Sequence, residues 1–150
     1  MMSRPSLLAA VAATGWLLIA GTAVAGDADT VTASNAWIRV LPGDLPAGAF
    51  VDFTNASDHA VALTGASSTR YGQAMLHRSS TEGDMGRMET VDKLEIPAHG
   101  SAKLSPGAYH LMLMHAKPAV LPGDTVVLTL GFSDGSHKDV TFQARPANTL

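Results

Sequence analysis

Cysteine is absent from the sequence, and this absence excludes several kinds of site at once. Without a thiol the chain forms no disulfide and no blue-copper centre, since such a centre has a cysteine among its ligands. The lipid anchor of a bacterial lipoprotein, which is attached through cysteine, is excluded as well. Structural zinc is disfavoured, because such sites use cysteine or several histidines.

Positive charge is also scarce and forms no cluster. The 150 residues include 10 Lys and Arg and 13 Asp and Glu, which gives a net charge of −3. This balance predicts that nucleic acid is not a partner, because nucleic-acid-binding domains present basic patches. The sequence also lacks a nucleophile elbow, a phosphate-binding loop and an H-E-x-x-H helix, so we do not expect an enzyme.

The first 25 residues have the three parts of a secretory signal peptide. Arg4 provides the basic start, residues 7–20 are apolar, and Ala23-Val24-Ala25 is typical of a cleavage site. The apolar stretch is shorter than the roughly 20 residues of a spanning helix, which favours cleavage over a retained anchor. We therefore expect a leader at 1–25 and one mature domain at 26–150, with no membrane span after cleavage.

Turn-forming residues divide the mature sequence into short segments that are rich in β-branched and aromatic residues. Nine of these segments are candidate strands: 32–40, 48–55, 60–67, 73–79, 85–91, 101–105, 109–115, 125–132 and 138–144. No apolar stripe with helical spacing is long enough to indicate a helix. Seven to nine strands in one domain predict an all-β fold, a two-sheet antiparallel β-sandwich.

Methionine is concentrated in one part of this sandwich. Five of the seven methionines lie between residues 75 and 114, interleaved with histidines. Thioether sulfur and imidazole nitrogen together suit a soft or borderline metal ion such as copper(I). The alternative is that methionine, a flexible filler of irregular gaps, packs the core of the sandwich.

The alternation of strand side chains groups the candidate ligands by face. In the segment YHLMLMH, His110 and Met112 point to one face of the strand. Met75 and His77 have the same two-residue relation upstream. Such pairs from neighbouring strands are able to converge on one ion. Methionine sulfur has no proton to lose, so a site of this kind is neutral and suits a carrier that must release its ion.

The spacing of these residues resembles a family signature. His77 is followed after ten residues by Met88, and after twenty-one more by His110 and Met112, in the pattern H-x10-M-x21-H-x-M. This pattern is similar to that of the periplasmic copper(I) chaperones of the PCuA(C) type. The segments AWIRVLPGDLPAGAFVDFTN and LPGDTVVLTLGFSDG agree with the same family, and the resemblance is collinear over residues 33–142.

The resemblance implies a cupredoxin-like β-sandwich with copper(I) ligands at His77, Met88, His110 and Met112. It implies a periplasmic protein, expected to be a monomer, that delivers Cu(I) to copper-centre assembly of cytochrome c oxidase. The acceptor is then an oxidase subunit or another assembly chaperone. Two alternatives remain open: a periplasmic copper buffer or resistance protein without dedicated delivery, and a β-sandwich binding module that holds no metal.

The other residues of interest have less specific roles. Met75 and Met114 share the predicted ligand faces and are expected in the core or beside the ligands. Met85 is expected to be an exposed loop residue or a transient ligand. His115 faces the opposite side of its strand and is not expected to bind metal. Trp37 is expected to pack in the core.

Overall fold

The computed structural model describes residues 25–82 and 85–150, so nearly all of the predicted leader lies outside the described residues. The elements are α1 (Asp27–Thr30), β1 (Val31–Arg39), β2 (Ala47–Asn55), β3 (Val61–Ser67), β4 (Tyr71–Glu82), β5 (Met85–Thr90), β6 (Leu94–Ile96), β7 (Ser101–Leu104), β8 (Tyr109–Ala116), β9 (Thr125–Phe132) and β10 (His137–Arg145). All nine predicted strands are present. The sequence missed α1 and β6, which are too short to show a periodic pattern. Within the described part, no helix is long and apolar enough to cross a membrane.

Nine strands hydrogen-bond side by side in the order β5-β4-β8-β2-β1-β10-β9-β3-β6, and β7 pairs with β2 next to β8. β3 also lies against β4, and β6 against β7, so the sheet curls back on itself around one core. The all-β fold is confirmed, with two differences in detail. The strands in the described part of the chain number ten, and β1 pairs with β10 in parallel while the other pairs are antiparallel.

Alternation along the strands separates a core face from an outer face. In β8, Leu111 and Leu113 are fully buried, and Leu76 of β4 and Ala49 of β2 point inward beside them. The core cluster of the described residues consists of aliphatic and aromatic side chains and contains none of the five methionines between 75 and 114. The hypothesis that these methionines fill the core is therefore wrong.

A bulge in β1 determines which side chains cover part of the outer face. The register between β1 and β2 shifts between Ser34 and Trp37, and Asn35 there has a left-handed backbone with φ of 51°. Asparagine tolerates this conformation better than most residues, and its amide donates to Asp52 over 2.9 Å. The shift turns Trp37 outward opposite Phe50. Trp37 is thus buried as predicted, but on the outer face and not in the core cluster.

Helix α1 is attached to the turn between β9 and β10. The Asp134 carboxylate accepts hydrogen bonds from the backbone N–H of Asp27 over 2.8 Å and of Ser136 over 2.9 Å. The Ser136 hydroxyl donates to the same carboxylate. These bonds stabilise the ionised carboxylate and lower the pKa of Asp134 to about 2.

Asp134 is expected to make the stability of the fold depend on pH in the acid range. Because its folded pKa is below the unfolded value, its contribution is complete above about pH 4 and is lost as the pH falls toward 2. We predict that Asp134→Asn lowers the urea midpoint at neutral pH, and that the difference from the native protein shrinks between about pH 4 and 2. Urea denaturation followed by circular dichroism across this pH range measures the difference. A difference that stays constant down to the lowest pH would contradict the prediction.

The alternation of β8 predicts unequal effects for two adjacent truncations. Leu113→Ala empties a fully buried position and is expected to lower the free energy of unfolding by about 2–5 kcal/mol. Met114→Ala removes a partly exposed side chain from the outer face and is expected to cost less than about 1 kcal/mol. Urea denaturation measures both values. Equal losses would show that the two faces are not divided in this way.

Candidate metal centre

The four predicted ligand residues lie on the outer face of three adjacent strands. His77 in β4 pairs directly with His110 in β8, and Met112 is two residues further along β8 on the same face. Met88 in β5 pairs with Ser79, which is two residues beyond His77 in β4. Strand pairing therefore brings together residues that are distant in sequence.

The two imidazoles are close enough to share one ion. The ring centroids of His77 and His110 are 5.7 Å apart, with the planes inclined at 66°. Metal–imidazole bonds of about 2 Å, as in zinc sites, keep the centroids of two imidazoles on one ion within roughly 6 Å of each other. The observed separation meets this condition without a backbone movement.

Each imidazole has one nitrogen beside a polar neighbour and one nitrogen left over. The Nε2 atom of His77 is 3.3 Å from the hydroxyl oxygen of Thr90, while its Nδ1 is buried without a hydrogen-bond partner among the described residues. The Nδ1 atom of His110 is 3.4 Å from the carbonyl oxygen of Ala108. Metal-binding histidines commonly donate one ring N–H to such a neighbour, which orients the ring and leaves the other nitrogen for the ion.

The environment of His77 favours the neutral form of its ring. Burial lowers the pKa of His77, and the positive charge that His110 carries when protonated lowers it further. A neutral imidazole has the lone pair that a metal ion requires, whereas a protonated imidazole does not. Both histidines are only 7% exposed although they lie on the outer face.

The two methionines and one of the histidines border a partly open cleft. Its volume is about 200 Å³, and its walls include Met88, His110 and Met112. His77 is not part of this wall and lies beside His110. Met88 is 53% exposed at the edge strand β5, in contrast to the buried imidazoles. The group is thus closed on the side of the histidines and open on the side of Met88.

Sequence reasoning missed the aromatic and cationic side of this cleft. The ring of Phe50 lies 6.4 Å from that of His110 and 4.7 Å from that of Trp37, measured between centroids. The Arg39 guanidinium lies 5.4 Å from the centroid of Phe50 and donates to the carbonyl oxygen of Thr149 over 3.0 Å. Arg39 and Phe50 both line the cleft. Arg39 faces the cleft because the bulge in β1 changes the register of that strand, and the sequence carries no clear signal of that bulge.

Carboxylates do not contribute to the group. Within residues 25–82 and 85–150, no three His, Asp or Glu side chains are grouped so as to hold a metal ion. A metal held at this cleft therefore depends on thioether sulfur, which selects soft ions such as Cu(I) over Zn²⁺ and Mg²⁺. The positive charge of Arg39 also favours Cu(I), because it repels a divalent cation more strongly than a monovalent one.

Of the remaining methionines and histidines in the described part of the chain, only Met75 and Met114 lie on the same face as the proposed ligands. Met75 pairs with Met112 on the outer face, and Met114 lies two residues beyond Met112 on the same face. Met85, 70% exposed as expected, is an odd number of residues from Met88 and so belongs to the opposite face of the β4–β5 hairpin. The histidines outside the group are all exposed: His59, His99, His115 and His137.

The hydrogen bonds predict opposite tautomers for the two histidines. We expect His77 to carry its proton on Nε2, which then donates to Thr90, because a buried N–H without a partner is costlier than a buried lone pair. His110 is expected to carry its proton on Nδ1, which donates to Ala108. Long-range ¹H–¹⁵N NMR spectra of the metal-free protein at neutral pH distinguish the tautomers. The same tautomer at both residues would contradict this assignment.

Comparison with known proteins places this chain in a family. Residues 31–144 match the family model described as "Putative lipoprotein LpqE-like". The "Putative lipoprotein Lxx21020" of Leifsonia xyli subsp. xyli is 34% identical over 114 residues, which are 75% of this chain and 68% of that protein.

Solved structures show the same fold. The Cu(I) form of DR1885 from Deinococcus radiodurans is 32% identical with a TM-score of 0.60, covering 73% of this chain and 74% of that one. The copper-bound PCuAC domain from PmoF2 has a TM-score of 0.66 over 78% of this chain and 93% of that domain. At 18% identity this second likeness shows the fold alone. The chain belongs to the LpqE-like family, and its resemblance to the PCuAC type of protein is confirmed.

Proposed function

We propose that this protein is an exported copper(I) chaperone that holds one Cu(I) ion and passes it to an acceptor. The proposed ligands are His77, Met88, His110 and Met112. The observation that carries the proposal is that strand pairing puts these four side chains on one face of the sheet. Met88, His110 and Met112 line a partly open cleft whose described walls have no carboxylate, and His77 lies beside His110. The Cu(I) form of the DR1885 relative supports the choice of ion.

The chemistry of the four side chains fits a transported ion. Copper(I) has no strong geometric demand, so two imidazoles and two thioethers satisfy it. All four ligands are neutral, and the ion keeps its positive charge next to the guanidinium of Arg39. Binding is therefore weaker than at a thiolate site, which permits release to an acceptor.

The unequal burial of the ligands suggests the order of transfer. Met88 is half exposed at an edge strand, whereas both histidines are buried. An acceptor ligand replaces Met88 first, and the histidines hold the ion until a second acceptor ligand is in place. No proton has to move when a thioether leaves. An acceptor with thiolates binds Cu(I) more tightly and so sets the direction of transfer.

The place of action and the acceptor are further parts of the proposal. The predicted leader and the lipoprotein description of the family support a location outside the cytoplasm, which we take to be the periplasm. The resemblance to PCuAC chaperones supports delivery to the copper centre of cytochrome c oxidase, directly or through another assembly chaperone. The proposal includes no enzymatic activity. The non-metal binding module loses its main basis, because the methionines are not in the core.

An anaerobic competition titration tests the binding site. We predict that residues 26–150 take one equivalent of Cu(I) from a chromophoric chelator. Because each side chain supplies one bond to the ion, Met88→Ala and His110→Ala are each expected to weaken the affinity by more than about tenfold. Met85→Ala is the matched control, since it removes another exposed methionine, from the opposite face of the same hairpin. Affinities equal to that of the native protein in both ligand variants would refute this site.

A transfer assay separates the chaperone from a copper buffer. The Cu(I)-loaded protein is mixed with the soluble copper-centre domain of an oxidase subunit, and the metal content of each is measured after separation. A chaperone delivers Cu(I) to the acceptor faster than a small-molecule chelator of equal Cu(I) affinity does. Transfer no faster than from the chelator would support the buffer instead.

A further inference from the structure

Three methionines form a continuous group on the outer face of β4 and β8. Met75 and Met112 are direct cross-strand partners, and Met114 follows Met112 on the same face. Directly opposed residues of antiparallel strands have Cβ atoms about 5 Å apart, within easy reach of two methionine side chains. Met112 is also a proposed ligand of the copper centre, so this group adjoins that centre and extends away from it.

Packing does not explain this group. All three side chains are partly exposed, and none belongs to the core cluster. The outer face of a solvated sheet ordinarily carries polar residues at such positions. Leucines already fill the core face of β8, so the three neighbouring thioethers on the outer face have another role.

The sulfur of Met75 is already directed toward a polar neighbour. The side-chain amide of Gln73 donates a hydrogen bond to the sulfur over 3.3 Å, and Gln73 is itself the cross-strand partner of Met114. A sulfur that accepts this bond presents a lone pair to a donor at the surface and not to the core. The same lone pair is available to a soft cation.

We propose that Met75, Met112 and Met114 form a second, weaker binding station for Cu(I), through which the ion reaches the His/Met centre. This inference rests on the proposed function. The donor set is three neutral thioethers with no imidazole or carboxylate, so it selects a soft monovalent ion and does not hold Cu²⁺ or Zn²⁺. Its affinity does not depend on protonation, because thioethers do not titrate.

Movement between the two stations needs no change of charge or oxidation state. The bond from Cu(I) to the sulfur of Met112 is kept throughout. The bonds to the sulfur atoms of Met75 and Met114 break, and bonds form to one nitrogen each of His77 and His110 and to the sulfur of Met88. The ion remains Cu(I) throughout, and the thioethers that leave or join it carry no proton.

The first test observes the station directly by NMR of methionine methyl groups labelled with ¹³C. The variant is His77→Ala/His110→Ala, in which the centre has lost both imidazoles, and the probe is Ag(I), a soft monovalent ion that is stable in air. We expect the methyl signals of Met75, Met112 and Met114 to shift together and to saturate. The signal of Met85 is the internal control and is expected to stay in place. Unmoved signals of Met75 and Met114 in a folded variant would overturn the proposal.

The second test uses the native histidines and so does not depend on the folding of that variant. Met75→Leu/Met114→Leu conserves volume and removes two of the three sulfur atoms, and Met85→Leu is the matched control. Because a station on the protein raises the local concentration of the ion at the centre, we expect loading from a chelated Cu(I) donor to slow by about tenfold or more without it. The control is expected to load at the native rate.

The outcomes separate this inference from the proposed function. If the native protein takes up no Cu(I), the proposed function itself is wrong. If the native protein takes up one equivalent and Met75→Leu/Met114→Leu loads as fast as Met85→Leu, only the second station is wrong. Slow loading of the double variant, with one equivalent still bound at the end, supports both.

Discussion

The pairing of β8 with β4 on one side and β2 on the other is the constraint on which both the core and the candidate metal centre depend. Leu111 and Leu113 of β8 are fully buried, and this burial sets the register of the strand. A shift of one residue would exchange the two faces and expose both leucines. The hydrophobic contacts of the core therefore also keep His110 and Met112 on the outer face beside His77.

The electrostatics of the cleft follow from what surrounds these ligands. Among the described residues the group holds two imidazoles and two thioethers without a carboxylate, and Arg39 lies over the ring of Phe50 at the same cleft. A bound ion is therefore not neutralised by the protein. The repulsion between Arg39 and the bound ion grows with the charge of the ion, so the arrangement discriminates by charge as well as by softness. This combination suits an ion that is carried and released, and it does not suit a permanent structural metal.

The outer face of this protein has more thioethers than a four-ligand site requires. Met75 and Met114 continue the face beyond Met112, whereas Met85 belongs to the opposite side of the hairpin. Exposure increases from the buried histidines to the half-exposed Met88 at the edge of the sheet. A gradient of this kind gives an incoming or departing ion a series of single ligand exchanges, each of which is easier than the release of all ligands at once.

Much of this arrangement could be predicted from the sequence, because strand alternation is a local property. The alternation in YHLMLMH separates leucines from ligand residues without knowledge of the fold, and the spacing of His77, Met88, His110 and Met112 is visible in the printed sequence. The neighbours across the sheet could not be predicted. Asn35 lies at a bulge that turns Arg39 toward the cleft, and Thr90 approaches the imidazole of His77 only through strand pairing. Alternation depends on the backbone of one strand, whereas register and bulges depend on contacts between strands, so only the tertiary structure decided what surrounds the proposed ligands.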